Sequence, residues 1–180
     1  MELACGLGIP SLVASNFAAK VVASDINRLV LQNVRSAAQQ ISPAAAQSLS
    51  VRRLDFATAS GMSEAGLGCW DVVLFAECTY SHQLGAALPH AVSALLKPGG
   101  MSLGAFPVEE RIGLADFWAE VPRAGLAWQK PGCWPEPGQD GGCRTERQGQ
   151  IYVFWKEGGG DAQGDVESEA ESVASLFHDL

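Results

Sequence analysis

The sequence predicts an α/β protein built on a mostly parallel sheet with helices on both faces. Three observations carry that expectation. Short β-like runs alternate with runs of helical period through the first 155 residues. The opening stretch, MELACGLGIPS, leads a short apolar run into a glycine-rich turn that starts a helix. Acidic residues recur at the ends of successive β-like runs, which is where open α/β sheets bind ligands.

Met1 to Cys5 reads as a first strand, and a short one. Gly6 and Gly8 follow it, and without side chains they let the backbone approach a ligand. A helix is expected from Ile9 to Ala19, with Pro10 suited to its first turn and unpaired N–H groups at its start. Lys20 to Ser24 is the second strand, and Ile26 to Gln40 a helix with apolar positions near Leu29, Val30, Val34, Ala37 and Ala38. Ser50 to Leu54 is the third strand, followed by a small-residue loop from Ala57 to Gly68. Asp71 to Ala76 (DVVLFA) is a fully buried fourth strand. Leu84, Leu88, Ala91, Val92, Leu95 and Leu96 set a helix over His82 to Leu96, which Lys97-Pro98-Gly99-Gly100 ends in a turn. Met101 to Phe106 is the fifth strand. Glu109 to Val121 is an amphipathic helix anchored by Ile112, Trp118 and Val121. Leu126 to Trp128 and Ile151 to Trp155 close the sheet, and a Pro/Gly-rich connection of 22 residues from Gln129 to Gln150 joins them.

A chain of 180 residues with 47% hydrophobic content buries one substantial core, so one domain is expected over residues 1 to 156. Its net charge of -8 is concentrated at one end. Seven acids and one lysine from Lys156 to Leu180 give that segment -6, while residues 1 to 155 carry -2. Residues 157 to 180 read as an acidic disordered tail, with a small apolar group at Val173, Leu176 and Phe177. No basic patch argues for nucleic acid, and no apolar run reaches membrane-spanning length. The expectation is a cytoplasmic monomer, with the nucleus as a second location. Five cysteines, at 5, 69, 78, 133 and 143, show neither C-x-x-C pairs nor metal-ligand spacing and read as reduced thiols.

The candidate site lies at the carboxyl ends of the strands. Asp25 follows the second strand, 19 residues after Gly6, where a carboxylate accepts both hydroxyls of a ribose. Asp55 follows the third and can accept an adenine amino group, with Phe56 offering a ring face. Glu2, ahead of the glycines, is placed to face a cationic ligand. Ser11 stands where a dinucleotide fingerprint has its third glycine, which counts against a nicotinamide-dependent oxidoreductase.

ELACGLG resembles motif I of the class I S-adenosylmethionine-dependent methyltransferases, E/D-x-G-x-G-x-G, with Ala4 in place of the first glycine. That exchange requires Ala4 to keep a negative φ. FAECTY, with Glu77 and Tyr80 three apart, resembles the D/E-x-x-Y segment of the family 16 methyltransferases, the lysine methyltransferase-like group. GLGIPSL, SDIN, LDF and LLKPGG are similar to the same group. The resemblance implies a Rossmann-like three-layer α/β/α sandwich with a seven-stranded sheet in the order 3-2-1-4-5-7-6. It implies S-adenosyl-L-methionine as cofactor, held by Glu2, Gly6, Gly8, Asp25, Ile26, Asp55, Phe56 and Ala76. It implies Glu77 and Tyr80 as the catalytic pair and a protein substrate such as a translation factor or chaperone. Glu77 would orient the acceptor amine, and Tyr80 would wall the pocket. Lysine is the first acceptor and histidine remains open.

Family members carry a segment ahead of motif I, and here Met1 falls inside the first strand, so an N-terminal truncation with loss of ladder hydrogen bonds is expected. A non-catalytic binding module that holds a basic partner with its acidic tail, and a small-molecule nitrogen methyltransferase, are the alternatives. His82 is expected to face solvent at a helix start rather than to act as a base.

Overall fold

The computed structural model describes residues 1–41, 43–107, 111–130 and 150–156. The acidic segment from 157 onward, Cys133, Cys143 and most of the connection between residues 129 and 150 lie outside the described residues.

Seven strands form one sheet: β1 Glu2–Leu3, β2 Val21–Asp25, β3 Leu49–Arg53, β4 Trp70–Ala76, β5 Leu96–Phe106, β6 Leu126–Gln129 and β7 Gln150–Lys156. Their order is β3-β2-β1-β4-β5-β7-β6, as expected, with β7 antiparallel to both β5 and β6 and the other pairs parallel. The helices are α1 Ile9–Ala14, α2 Arg28–Ile41, α3 Pro43–Ser48, α4 Ala59–Glu64, α5 His82–Leu95 and α6 Leu114–Glu120.

Period-2 alternation sorts the strands' side chains onto two faces. On one face Val21, Ala23 and Leu49 bury against Leu12 of α1 and Leu31, Val34 and Ala38 of α2. On the other, Leu3, Val22, Val73, Phe75, Phe106 and Phe154 form a larger core with Leu88, Val92 and Leu95 of α5 and Phe117 of α6. Aromatic edges meet there, as between Phe75 and Phe106 at 5.6 Å and 78°. Pairing extends to Met1 at the start of β1: its nitrogen donates to Val72 O at 2.7 Å, and its carbonyl accepts from Leu74 N at 2.7 Å.

Several elements differ from expectation. α1 stops at Ala14 rather than Ala19. There Ser15 Oγ and Asn16 Nδ2 donate to Leu12 O at 2.7 and 3.1 Å, giving the backbone an alternative to further helix. α2 buries Leu31, Val34 and Ala38, while Leu29 is exposed. The loop from Ala57 to Gly68 holds α4, whose N-cap Thr58 accepts from Gly61 N at 3.2 Å. The Lys97–Gly100 run, expected to end the helix in a turn, lies within β5 instead: the pairing with β4 shifts register between Trp70 and Val72, and Gly99 takes φ +75°. α6 begins five residues later than expected and leaves Ile112 exposed. β4 is buried on one face only; Val72 on the other is 36% exposed. Among the described residues no helix is long and apolar enough to cross a membrane.

Candidate functional site

Chain order runs β1 to β2 to β3 toward one edge and then returns to β4 on the other side of β1. The crevice beyond β1 and β4 is therefore the switch point where such sheets take ligands. Both flanking turns are bent sharply. Ala4, after β1, has φ +48°, and Glu77, after β4, has φ +51°; among the described residues they are the two non-glycine residues with positive φ. The negative φ expected at Ala4 is overturned, because the turn keeps the left-handed backbone of a glycine without the glycine. Each such residue carries strain of about 1 to 2 kcal/mol.

The loop after β1 is fastened from several sides. Cys5 N donates to Ser24 O at 2.8 Å, Gly8 N to Cys5 O at 2.7 Å, and Gly6 N to Asp25 Oδ2 at 3.1 Å. Asp25 Oδ1 accepts from Asn27 N at 2.8 Å. The Asp25 carboxylate thus joins the ends of β1 and β2 and keeps lone pairs for a ligand. The two glycines differ in purpose. A Cβ on Gly6 would meet nothing within 4 Å, so open space lies beside that backbone. A Cβ on Gly8 would lie 2.7 Å from a Val34 methyl, so Gly8 lets α2 pack close rather than admitting a ligand.

Glu2 differs from its expected role. It is 2% exposed, and its Oε2 accepts from Ser11 N at 3.0 Å and from the Ser11 hydroxyl. The carboxylate braces the start of α1 from beneath and does not open onto the crevice. Burial pushes it up to about 6 from its ordinary 4.5, against the pull of the Ser11 hydrogen bonds. Ser11, where a dinucleotide fold has a third glycine, is the partner that lets a carboxylate be buried here. The thiols of Cys5 and Cys78, also buried, are pushed up to about 12 and are chemically quiet.

Beyond β2, Ile26 is exposed beside Asp25. Beyond β3, Asp55 is half-buried with Oδ1 accepting from Ala57 N at 3.1 Å. Phe56 departs from expectation: at 7% exposure it belongs to the larger core and offers no free face. It shares that core with Leu54, and Met62 of α4 packs against the same cluster.

After β4 the chain places Ala76 and Tyr80 in solvent and Glu77 half-buried. Here the structure adds a residue that sequence reasoning missed. Arg111 Nη2 donates to Glu77 Oε2 at 3.0 Å, and its guanidinium lies 5.6 Å from the centre of the Tyr80 ring. Partial burial raises the Tyr80 hydroxyl, so it stays protonated. Arg111 is held by backbone. Gly113 N donates to Thr79 O at 3.1 Å, and Gly113 fits so tightly on the turn that a Cβ there would collide with Ser81 O. A Cβ on Gly85 of α5 would in turn collide with Gly113 O. Ser81, not Glu77, caps α5, accepting from Leu84 N at 3.3 Å. His82 is largely exposed and bonds Asp116 at 2.7 Å, away from this cluster.

Gly6, Asp25, Ile26 and Asp55 thus line one side of the crevice with groups suited to the sugar and base of a nucleoside. Glu77, Tyr80 and Arg111 line the other with a carboxylate, a ring and a cation. No protein-family model matches the chain, and no curated protein matches it. Solved structures do. A TehB-like SAM-dependent methyltransferase from Corynebacterium glutamicum aligns at 15% identity and TM-score 0.62, over 87% of this chain and 78% of that one. The glycopeptide N-methyltransferase MtfA, complexed with S-adenosyl-L-methionine, aligns at 13% and 0.63, over 87% and 80%. The [4+2]-cyclase SpnF aligns at 12% and 0.58, over 72% of this chain and 53% of that one. The chain has the Rossmann-like methyltransferase fold, and a cyclase among its neighbours means the fold alone does not set the reaction.

Proposed function

We propose, on the premise of that fold, that the chain is an S-adenosylmethionine-dependent methyltransferase acting on nitrogen of a protein side chain, with lysine as the first acceptor. The observation that carries the reading is the turn after β4: Glu77 at φ +51°, bonded to Arg111, next to the strand whose end bears Gly6. The residues fit the cofactor, since open space lies beside Gly6 and Asp25 retains acceptor capacity for ribose hydroxyls. Bound S-adenosylmethionine would supply a sulfonium methyl for in-line transfer to a nitrogen lone pair.

The chain's own work is to position and dry the acceptor. Glu77 has one oxygen on Arg111 and a second, Oε1, free to accept an N–H of the amine. Tyr80 supplies a wall whose far side is held by the guanidinium. A lysine acceptor must be neutral, which costs about 4 to 5 kcal/mol at pH 7. Arg111 offsets part of the opposite pull of Glu77, whose carboxylate beside the amine favours an ammonium. A histidine acceptor avoids that cost and is the second choice. The substrate class, a translation factor or chaperone in the cytoplasm, rests on the family resemblance of the FAECTY segment.

Calorimetric titration of the full chain with S-adenosylhomocysteine tests the cofactor half of the reading. Micromolar binding, abolished by Asp25→Ala, is expected. A folded chain that does not bind overturns the enzyme reading and leaves a non-catalytic binding module. Transfer of labelled methyl groups from S-adenosylmethionine to lysine in a cell extract, lost in Glu77→Gln, tests the acceptor half.

A further inference from the structure

Arg111 is held more firmly than a partner for Glu77 requires. Its carbonyl accepts from Leu114 N at 3.0 Å, and nearby Gly113 N donates to Thr79 O at 3.1 Å, with a Cβ at Gly113 excluded by Ser81 O. These contacts root the side chain beside the turn after β4, and its guanidinium reaches over Tyr80 to Glu77. The reach leaves a deficit. Among the described residues, the buried side-chain N and O atoms without a hydrogen-bond partner are Arg111 Nε and Thr79 Oγ1. One stands on each of the two backbone segments that the Gly113 bond joins. Buried polar atoms nearly always find a partner, and leaving one unpaired costs more than a half-exposed ion pair contributes. The Glu77–Arg111 pair is of that half-exposed kind, with side chains 47% and 39% accessible. Stability of the fold therefore does not account for this arginine.

The guanidinium has donors to spare. Nη2 is bonded to Glu77 Oε2, and among the described residues no other hydrogen bond engages the head group. A planar fork of N–H donors matches a carboxylate or a phosphate. Of these, a singly charged carboxylate suits a guanidinium that already carries the Glu77 carboxylate, whereas a phosphate dianion meets stronger repulsion there. The unused oxygen of Glu77 and the unused donors of Arg111 belong to one ion pair. A ligand that engages both must carry its nitrogen and its carboxylate side by side.

We infer that Arg111 selects the substrate by binding a carboxylate that stands beside the acceptor nitrogen, from an aspartate or glutamate within about two residues of the modified side chain. The inference rests on the reading of this turn as the acceptor pocket for a protein side chain. Arg111 is then a specificity-determining contact as well as the partner of Glu77, and the charge of the residues that flank the acceptor decides which sites are modified.

Cell-extract protein treated with the full chain and S-adenosylmethionine bearing a deuterated methyl group tests it, with the labelled sites mapped by mass spectrometry. Acids within about two residues of labelled positions should be enriched about fivefold over unlabelled positions of the same residue type in the same proteins. Arg111→Gln should bring that ratio to about one, and Arg111→Glu should turn the preference toward basic flanks. Both variants should still bind S-adenosylhomocysteine by calorimetry, which shows that they fold. Labelled sites without acidic enrichment in the parent overturn the inference and leave the methyltransferase reading standing. Enrichment that survives Arg111→Gln also overturns it, because another group then reads the acid. Absence of label in protein, from a parent chain that binds S-adenosylhomocysteine, overturns the protein-substrate reading and this inference with it.

Discussion

On the β1 to β3 side of the crevice the acids are tied into main chain, whereas on the β4 to β5 side they meet side chains. Asp25 accepts from Gly6 N and Asn27 N and Asp55 from Ala57 N, while Glu2, sealed beneath the crevice, accepts from both the N–H and the hydroxyl of Ser11. Glu77 instead pairs with Arg111, half-exposed beside Tyr80. A carboxylate that bonds backbone fixes the shape of a loop whatever the sequence around it. One that bonds an arginine from another element can be re-aimed by moving that element. The first side is therefore suited to a constant ligand and the second to a ligand that differs from relative to relative.

The strongest way to break that contrast is to add one methyl group to each side. Gly8→Ala forces a Cβ against Val34 at 2.7 Å in a residue with φ +70°. Gly113→Ala forces one into the Ser81 carbonyl. Each should cost about 3 kcal/mol in urea denaturation. Under conditions where both variants fold, Gly8→Ala should weaken S-adenosylhomocysteine binding and Gly113→Ala should spare it while disturbing acceptor turnover. Equal loss of cofactor binding in both would mean that the two sides form one unit.

Next in size is the exchange of single charged groups. Asp25→Ala removes the carboxylate that holds Gly6 and, on the proposed reading, the ribose. About 100-fold weaker binding, or about 2.7 kcal/mol, is expected by calorimetry. Arg111→Gln should leave that affinity within about threefold and shift the pH dependence of methyl transfer upward, since a lysine acceptor loses the cation that helps it shed a proton. An unchanged profile in Arg111→Gln would remove Arg111 from the acceptor pocket.

Glu2 tests the same contrast through pH. Its folded-state value, about 6, lies above the ordinary 4.5, so the folded chain holds a proton that the unfolded chain has released between those values. Stability therefore falls as pH rises through that window, and the loss is complete above it, at about 2 kcal/mol. Glu2→Gln keeps an acceptor for Ser11 N and avoids the buried charge. It should match the parent below about pH 4.5 and exceed it by about 2 kcal/mol above pH 6, read from thermal or urea unfolding at both values. A variant destabilised at neutral pH would show that the Ser11 pair outweighs desolvation.

The fold of the β1 to β3 side was legible in the sequence because spacing encodes it. Nineteen residues from Gly6 to Asp25 are one β-turn-α-β unit, and LDF closes the next. Burial was not legible: Phe56 turns into the core and Glu2 is sealed, since neither depends on position along the strand alone. The β4 to β5 side was half legible. FAECTY marks Glu77 and Tyr80, but Arg111 lies 34 residues from Glu77 and reaches it because Gly113 locks onto Thr79, a tertiary contact with no local pattern. The Lys97–Gly100 run misled for a related reason: its turn chemistry is real, and the sheet absorbs it as an irregularity inside β5.

The smallest expected effect bears on why both turns at the switch point are strained. Ala4 and Glu77 share a left-handed backbone beside adjacent strands, but the Ala4 methyl only packs partly buried against the larger core, whereas Glu77 bears the carboxylate bonded to Arg111. Ala4→Gly removes a cost of about 1 to 2 kcal/mol in the folded state and adds about 0.5 to 1 kcal/mol of chain entropy to the unfolded one. A net gain of about 0.5 to 1 kcal/mol is expected in urea denaturation, with cofactor binding unchanged. Glu77→Gly should gain as much in stability and lose the acceptor chemistry, so strain at Glu77 is kept for its carboxylate whereas strain at Ala4 is not kept for function. Should Ala4→Gly instead weaken binding, the methyl group of Ala4 would be a contact of the site, and the β1 to β3 side would owe part of its ligand recognition to a side chain after all.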